Sequence, residues 1–87
     1  MTQRIVHELV GYHPATDEWI WSVELLRDGL ETIKRMIETD EDDPDAIGSY
    51  PVDFAIATDI AGLVGAGPLD PALVYYMEPY AEASAPA

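Results

Sequence analysis

Two short segments that alternate between apolar and polar residues place the strongest limit on how this chain can fold. Residues 5–12 and 19–26 both approach a period of two, which is typical of strands whose faces meet different surroundings. Between them, Pro14 and Asp17 favour a turn. The sequence therefore predicts an antiparallel hairpin, and since a lone hairpin is unstable in water, other elements must cover one of its faces.

The second predicted strand indicates which face is covered. Its large apolar residues Trp19, Trp21, Val23 and Leu25 all fall on one side at period two. β-Branched and aromatic side chains suit a pleated surface that is half buried. We therefore expect this side of the hairpin to face helices. The alternative is an aromatic face that stays open as a patch for dimerisation or for a partner.

Two helices are predicted after the hairpin. The first begins at Asp28, which can cap it, and Glu31 completes a capping box. The second begins near Pro51, because proline suits the first helical position, and it ends at the natural C-cap Gly65. Apolar residues at helical spacing predict the buried stripes, which are Leu30, Ile33, Met36 and Ile37 in the first helix and Val52, Ile56, Ile60 and Leu63 in the second.

The segment 69–80 carries signals of both helix and strand. Asp70 and Pro71 are typical of a helix start, whereas the residues from Leu73 to Met77 favour a strand and Pro79 would break a long helix. We expect a strand that pairs with the hairpin. The predicted fold is therefore α+β: a two-layer sandwich with a three-stranded antiparallel sheet and two helices on one face, in the order β-β-α-α-β. Residues 1–80 form the predicted domain, and residues 81–87 a flexible tail.

Acidic residues crowd into the predicted connector between the two helices. The chain has 17 Asp and Glu against four Lys and Arg, a formal net charge of −13, and six of the eight residues 38–45 are acidic. Such a run repels itself and predicts an exposed loop. The charge disfavours binding to bare nucleic acid or to an anionic membrane, whereas it attracts a basic protein. The simpler interpretation is that it only keeps the protein in solution.

The acidic connector is the predicted partner-binding site. Its carboxylates would steer and pair with Lys and Arg of a basic protein, with Asp53 in the second helix as an extension. The predicted site residues are Glu38, Asp40, Glu41, Asp42, Asp43, Asp45 and Asp53.

No catalytic or cofactor pattern is evident. The chain has no cysteine, and its glycines do not form a phosphate-binding loop. We expect His7 to be a partly buried strand residue and His13 to be solvated in the turn. The acidic run fails the EF-hand pattern, since counting from Asp40 places Asp45 where glycine is needed and Pro51 where glutamate is needed. We therefore expect no enzyme, no cofactor and no dedicated metal site.

Several short motifs resemble a small bacterial domain family of unknown function. They are Gly11-Tyr12 at the end of the first strand, the turn Thr16-Asp17, Asp45 with Ser49-Tyr50-Pro51 before the second helix, and Tyr75-Tyr76 in the closing strand. The small acidic proteins of that family look like immunity proteins, which neutralise toxins. The resemblance implies no catalytic residues.

The sequence thus predicts a small acidic protein that inhibits a basic protein target. The target would be a toxin nuclease, which makes this an immunity protein, or a nucleic-acid-handling complex, which makes it a DNA mimic of the anti-CRISPR kind. A structural or accessory domain, or a homodimer held by the aromatic sheet face, is the alternative. Because the chain has no cysteines and its first residues form no signal segment, we expect a cytoplasmic protein.

Overall fold

The computed structural model describes residues 5–25, 27–43 and 46–81. These residues form an α+β fold, as predicted, with a sheet and two helices. The elements in chain order are β1 (Ile5–Tyr12), β2 (Trp19–Leu25), α1 (Arg27–Ile37), β3 (Tyr50–Val52), α2 (Phe54–Leu63) and β4 (Val74–Ala81).

The sheet has four antiparallel strands in the spatial order β2-β1-β4-β3. The predicted hairpin of β1 and β2 is confirmed, and the ambiguous last segment is the strand β4, which pairs with β1 along its whole length. The predicted count of three strands and the order β-β-α-α-β are wrong, because the short strand β3 precedes the second helix.

Pro51 lies in β3 and does not open a helix. Tyr50 and Val52 pair with Met77 and Tyr75 of β4, and Val52 is buried against the sheet. A proline has no N–H to donate, so it is tolerated in an edge strand such as β3. The second helix therefore begins only at Phe54.

The first helix follows the predicted apolar stripe, although it begins at Arg27, one residue before the predicted cap. Asp28 accordingly lies in the first turn, where the helix dipole favours a carboxylate. Ile33 is fully buried, and the rest of the stripe packs around it. The helix ends at Ile37, and Glu38 follows in the left-handed region with φ of 61°.

The hydrophobic core lies between the helices and one face of the sheet. Strand register places Leu9, Leu25 and Met77 on the same face, and Ile33 of α1 and Ile60 of α2 pack against them. His7 is also buried on this face, 6% exposed, with Nε2 donating to the Ala46 carbonyl at 3.1 Å. A carbonyl only accepts, so Nε2 carries a proton in this bond.

A bulge in the hairpin moves Trp19 off the predicted helix-facing side. Gly11 pairs with Trp21 but Tyr12 pairs with Trp19, so Ile20 is an extra residue in β2. The extra residue reverses which face of the sheet the side chain before it occupies. Trp21, Val23 and Leu25 face the helices as predicted, whereas Trp19 lies on the opposite face and is 58% exposed.

Ala81, placed in the tail by the sequence prediction, ends β4, and residues 82–87 lie outside the described part of the chain. Among the described helices, none combines the length and the apolar character needed to span a bilayer.

Candidate protein-binding site

The acidic loop, residues 38–43 of the predicted connector, is held in place by backbone and side-chain hydrogen bonds. Thr39 N donates to the Lys34 carbonyl at 3.2 Å, and Asp40 N donates to the Tyr50 hydroxyl at 3.2 Å. Glu38 is exposed at the turn out of α1. The loop therefore has a defined path in spite of its like charges.

Asp43 organises the end of this loop. Its carboxylate accepts hydrogen bonds from Ile47 N at 2.9 Å, Gly48 N at 2.8 Å and the Tyr50 hydroxyl at 2.7 Å. These bonds, led by the one from Ile47 N, hold the pKa of Asp43 below its usual value. The sequence predicts that Asp43 binds a partner, and in the structure its carboxylate also accepts three hydrogen bonds that hold the loop.

The other carboxylates of the loop face solvent. Asp40, Glu41 and Asp42 are exposed, and Asp40 Oδ1 accepts a hydrogen bond from Asp42 N at 3.0 Å. Within the described residues, the side chains of Glu41 and Asp42 form no hydrogen bond or ion pair. Their charges therefore have no counter-ion among the described residues.

Asp53, another predicted site residue, does not join this group. Asp53 is the N-cap of α2; it is exposed, and its side chain makes no capping bond. Because it directly follows β3, it lies at the end of that strand opposite to the acidic loop. Asp45 lies outside the described residues. In the part of the chain that the structure describes, no three acidic or histidine side chains are grouped to hold a metal ion.

A second acidic surface lies on the sheet face that the described helices leave uncovered. We call it the open face. Strand register assigns to it Val6, Glu8, Val10 and Tyr12 of β1, Trp19, Ser22 and Glu24 of β2, and Tyr76, Glu78 and Tyr80 of β4.

Glutamates form a row across the open face. Glu8 lies directly opposite Glu24 of β2 on one side and Glu78 of β4 on the other. Residues directly opposite on neighbouring strands have Cβ atoms about 4.5–5.5 Å apart, and like charges at this spacing destabilise a sheet. The row is therefore unfavourable, and a donor or a cation at a carboxylate would relieve the repulsion.

Glu78 has donors within the protein. Its Oε1 accepts from the hydroxyls of Tyr12 at 2.5 Å and Tyr80 at 2.7 Å, and its Oε2 accepts from the Ser49 hydroxyl at 3.1 Å. Burial alone would raise the pKa of Glu78, but these hydrogen bonds outweigh it and hold the pKa below its usual value. The pKa of Tyr12 is raised, chiefly because its hydroxyl donates to Glu78, and that of Tyr80 is raised chiefly by burial.

A cleft next to this row is lined by Glu8, Tyr12, Trp19 and Tyr80. We call it the aromatic cleft; its volume is about 340 Å³. The Tyr12 ring is fixed on its other side by an edge-to-face contact with Tyr76, with ring centroids 5.8 Å apart. Glu8 is half-buried, and within the described residues its carboxylate has no hydrogen-bond or ion-pair partner.

Sequence reasoning missed the aromatic cleft. The alternation in β1 places Glu8 and Tyr12 on the same face, and this was visible in the sequence. The approach of Trp19 depends on the bulge, and that of Tyr80 depends on the long-range pairing of β1 with β4. Neither the bulge nor the pairing of β1 with β4 leaves a local pattern in the sequence.

The fold and these surfaces define a small α+β domain with an acidic loop and an acidic, aromatic sheet face. The chain belongs to the family described as Domain of unknown function (DUF7683), whose profile matches residues 6–78. The predicted resemblance to a family of unknown function is thereby confirmed, and the family description assigns no activity. Searches of curated proteins and of solved structures found no matching relative.

Proposed function

We propose that this protein binds and inhibits a basic protein target by electrostatic complementarity, and that it acts by binding rather than by catalysis. The observation that supports the proposal is the exposed group Asp40, Glu41 and Asp42, held in a defined loop with no cation paired to Glu41 or Asp42 among the described residues. Acidic groups placed in this way accelerate the approach of a basic partner and select against acidic ones.

The order of the loop strengthens this proposal. Hydrogen bonds to Asp43 and Tyr50 already fix the backbone on both sides of the exposed carboxylates. A partner would therefore pay little conformational entropy to order them, and preorganisation of this kind increases affinity. A loop that only kept the protein in solution would not need a fixed path.

The class of target follows from the charge. A protein that handles nucleic acid presents a basic groove, and a row of carboxylates can occupy that groove in place of phosphates. We propose either a toxin nuclease, with this protein as its immunity protein, or a nucleic-acid-handling complex, with this protein as a DNA mimic of the anti-CRISPR kind. A cytoplasmic location is part of the same proposal, and cell fractionation tests it.

The test compares two triple variants of equal charge. The loop variant carries Asp40→Asn, Glu41→Gln and Asp42→Asn, and it leaves Asp43 intact so that the loop keeps its fold. Wild-type protein is used to capture partners from the cytosol of the native host at low and high salt, and the captured basic protein is purified. Association with the loop variant is then expected to be about fivefold slower or more at low salt.

The control variant carries Asp17→Asn, Glu18→Gln and Asp59→Asn, which are exposed positions outside the loop. Because it removes the same number and types of charge, it separates the position of the charge from the net charge. The proposal is abandoned if the two variants slow association equally, or if no basic protein is captured at low salt.

The alternative, a homodimer or accessory domain that uses the sheet's aromatic face, has support from the exposure of Trp19 at 58% and Tyr80 at 38% on the open face. A symmetric face-to-face dimer is disfavoured, because the glutamate rows of both copies would meet at the interface. Sedimentation at several protein concentrations decides this, because a dimer that persists in high salt supports the alternative.

A further inference from the structure

We propose that the aromatic cleft binds an arginine side chain of the protein partner. This inference deepens the proposed function, on which it rests, because it names the group that a basic partner would insert into the open face. The cleft combines one half-buried carboxylate, Glu8, with the rings of Tyr12, Trp19 and Tyr80.

The charge of the cleft favours a cation. Glu8 lies between Glu24 and Glu78 in the cross-strand row, and three nearby hydroxyls donate to Glu78 but not to Glu8. Glu8 therefore has two like charges beside it and, among the described residues, no donor of its own. A cation in the cleft would pair with Glu8 and would relieve the repulsion along the row.

The walls of the cleft suit the same cation. The faces of tryptophan and tyrosine rings attract a cation within about 6 Å of the ring centroid, and tryptophan attracts it most strongly. Trp19 and Tyr80 are 58% and 38% exposed, so much of their surface is open to a ligand. The hydroxyls of Tyr12 and Tyr80 donate to Glu78, which holds both rings in place before a ligand arrives.

Arginine fits this arrangement better than other occupants. A guanidinium is planar, stacks on aromatic rings and donates to a carboxylate through two parallel N–H groups, whereas a lysine ammonium is a strongly hydrated point charge. An apolar side chain would remove water from Glu8 without replacing its hydrogen bonds, which is costly. A second copy of this chain, docked symmetrically, would bring another glutamate row against this one.

The experiment is an NMR titration of the full-length, ¹⁵N-labelled chain with the peptide acetyl-Gly-Gly-Arg-Gly-Gly-amide. The two tryptophans give an internal control, since Trp19 lines the cleft and Trp21 packs against Tyr75 on the helix side, with ring centroids 6.1 Å apart. We expect the indole N–H signal of Trp19 to shift in a saturable manner and that of Trp21 to stay in place.

Two further peptides test the chemistry of the ligand. One carries citrulline, which has the shape of arginine without the charge, and the other carries lysine. We expect the citrulline peptide not to bind and the lysine peptide to bind more weakly. The inference is overturned if the citrulline or lysine peptide binds as tightly as the arginine peptide, or if the Trp19 signal does not move at about 10 mM arginine peptide.

Matched variants locate the site. Glu8→Gln is expected to weaken arginine-peptide binding about tenfold, because it removes a charge-assisted hydrogen bond. Glu24→Gln removes the same charge from the same row but outside the cleft, so it should weaken arginine-peptide binding by no more than about threefold. Trp19→Ala is expected to weaken binding about fivefold. Equal losses in Glu8→Gln and Glu24→Gln would mean that only net charge attracts the peptide, and the assignment to the cleft would be wrong.

This design separates the inference from the proposed function. If Glu8→Gln still binds the captured basic partner like wild type while the loop variant does not, the cleft is not the arginine site but the proposed function stands. If the peptide titration succeeds and no basic partner of the whole protein is captured, the proposed function fails while the binding property of the cleft remains.

Discussion

Gly11→Ala is expected to destabilise the protein, because the core leaves no room for a methyl group at this position in β1. A Cβ atom at Gly11 would lie 3.0 Å from Leu73 Cδ1 and 3.0 Å from Tyr75 Cε1, and both neighbours would have to retreat by a few tenths of an ångström. The end of the Leu73 side chain can turn aside. The Tyr75 ring cannot do so easily, because it is 3% exposed and its hydroxyl donates to the Asp70 carbonyl at 2.8 Å.

The magnitude follows from two opposing effects. Overpacking of a close-packed core costs about 1–3 kcal/mol. Replacing glycine by alanine within a strand returns about 0.5–1 kcal/mol, because glycine loses more backbone freedom on folding. With the middle of each range, about 2 and about 0.75 kcal/mol, the net loss for Gly11→Ala is about 1.25 kcal/mol, which lowers the Tm of a domain of this size by roughly 5–10 °C.

Urea and thermal unfolding, followed by tryptophan fluorescence, measure this loss. Gly62→Ala is the matched control, since Gly62 lies in α2 and a Cβ there would meet nothing within 4 Å. We expect the control to be more stable than wild type by about 0.5–1 kcal/mol. A Gly11→Ala protein as stable as wild type would refute the close approach of Tyr75 to β1.

Three further predictions concern polar contacts. Glu78→Gln should lower the free energy of unfolding at pH 7 by about 1–2 kcal/mol, since an amide oxygen accepts weaker hydrogen bonds than a carboxylate. Because the pKa of Glu78 is depressed in the fold, the stability that its carboxylate contributes is present above the unfolded pKa and is lost as pH falls. In urea titrations, the difference in free energy of unfolding between wild type and Glu78→Gln should therefore narrow from about pH 5 to pH 3. A difference that stays constant over this range would contradict the prediction. Asp43→Ala should speed hydrogen exchange of the Gly48 amide about tenfold or more, and unchanged exchange would show that the carboxylate does not hold the loop. Tyr75→Phe should cost about 0.5–1.5 kcal/mol by removing the hydrogen bond to Asp70, and an unchanged urea midpoint would count against that bond.

Most of the fold could be predicted because its elements have strong local periodicity. The alternation in β1 and β2 and the apolar stripe of α1 place these elements within one or two residues of their observed bounds. The strand β3 could not be found in this way, because it has only three residues and contains Pro51, which also suits a helix start. Proline restricts φ in both settings, so only the pairing with β4 distinguishes them.

The candidate site was predictable only where its residues are adjacent in the chain. The acidic run is evident in the sequence, and the structure leaves Asp40, Glu41 and Asp42 exposed within it. That Asp43 is committed to the loop could not be foreseen, because its partners depend on how the chain returns to β3. The row of glutamates likewise depends on strand register, and a shift of one residue would place these side chains on the opposite face.

The two edges of the sheet differ in a way that limits assembly. The edge at β3 is a strand of three residues with a proline at its centre, so it offers few backbone groups to an incoming strand. At the other edge, β2 has seven residues, and in the described part of the chain no strand pairs with its outer side. Two copies joined through β2 would make one continuous sheet that ends in a proline-containing strand on both sides. Growth by strand addition beyond a pair is therefore disfavoured, and so is an endless fibre of native subunits.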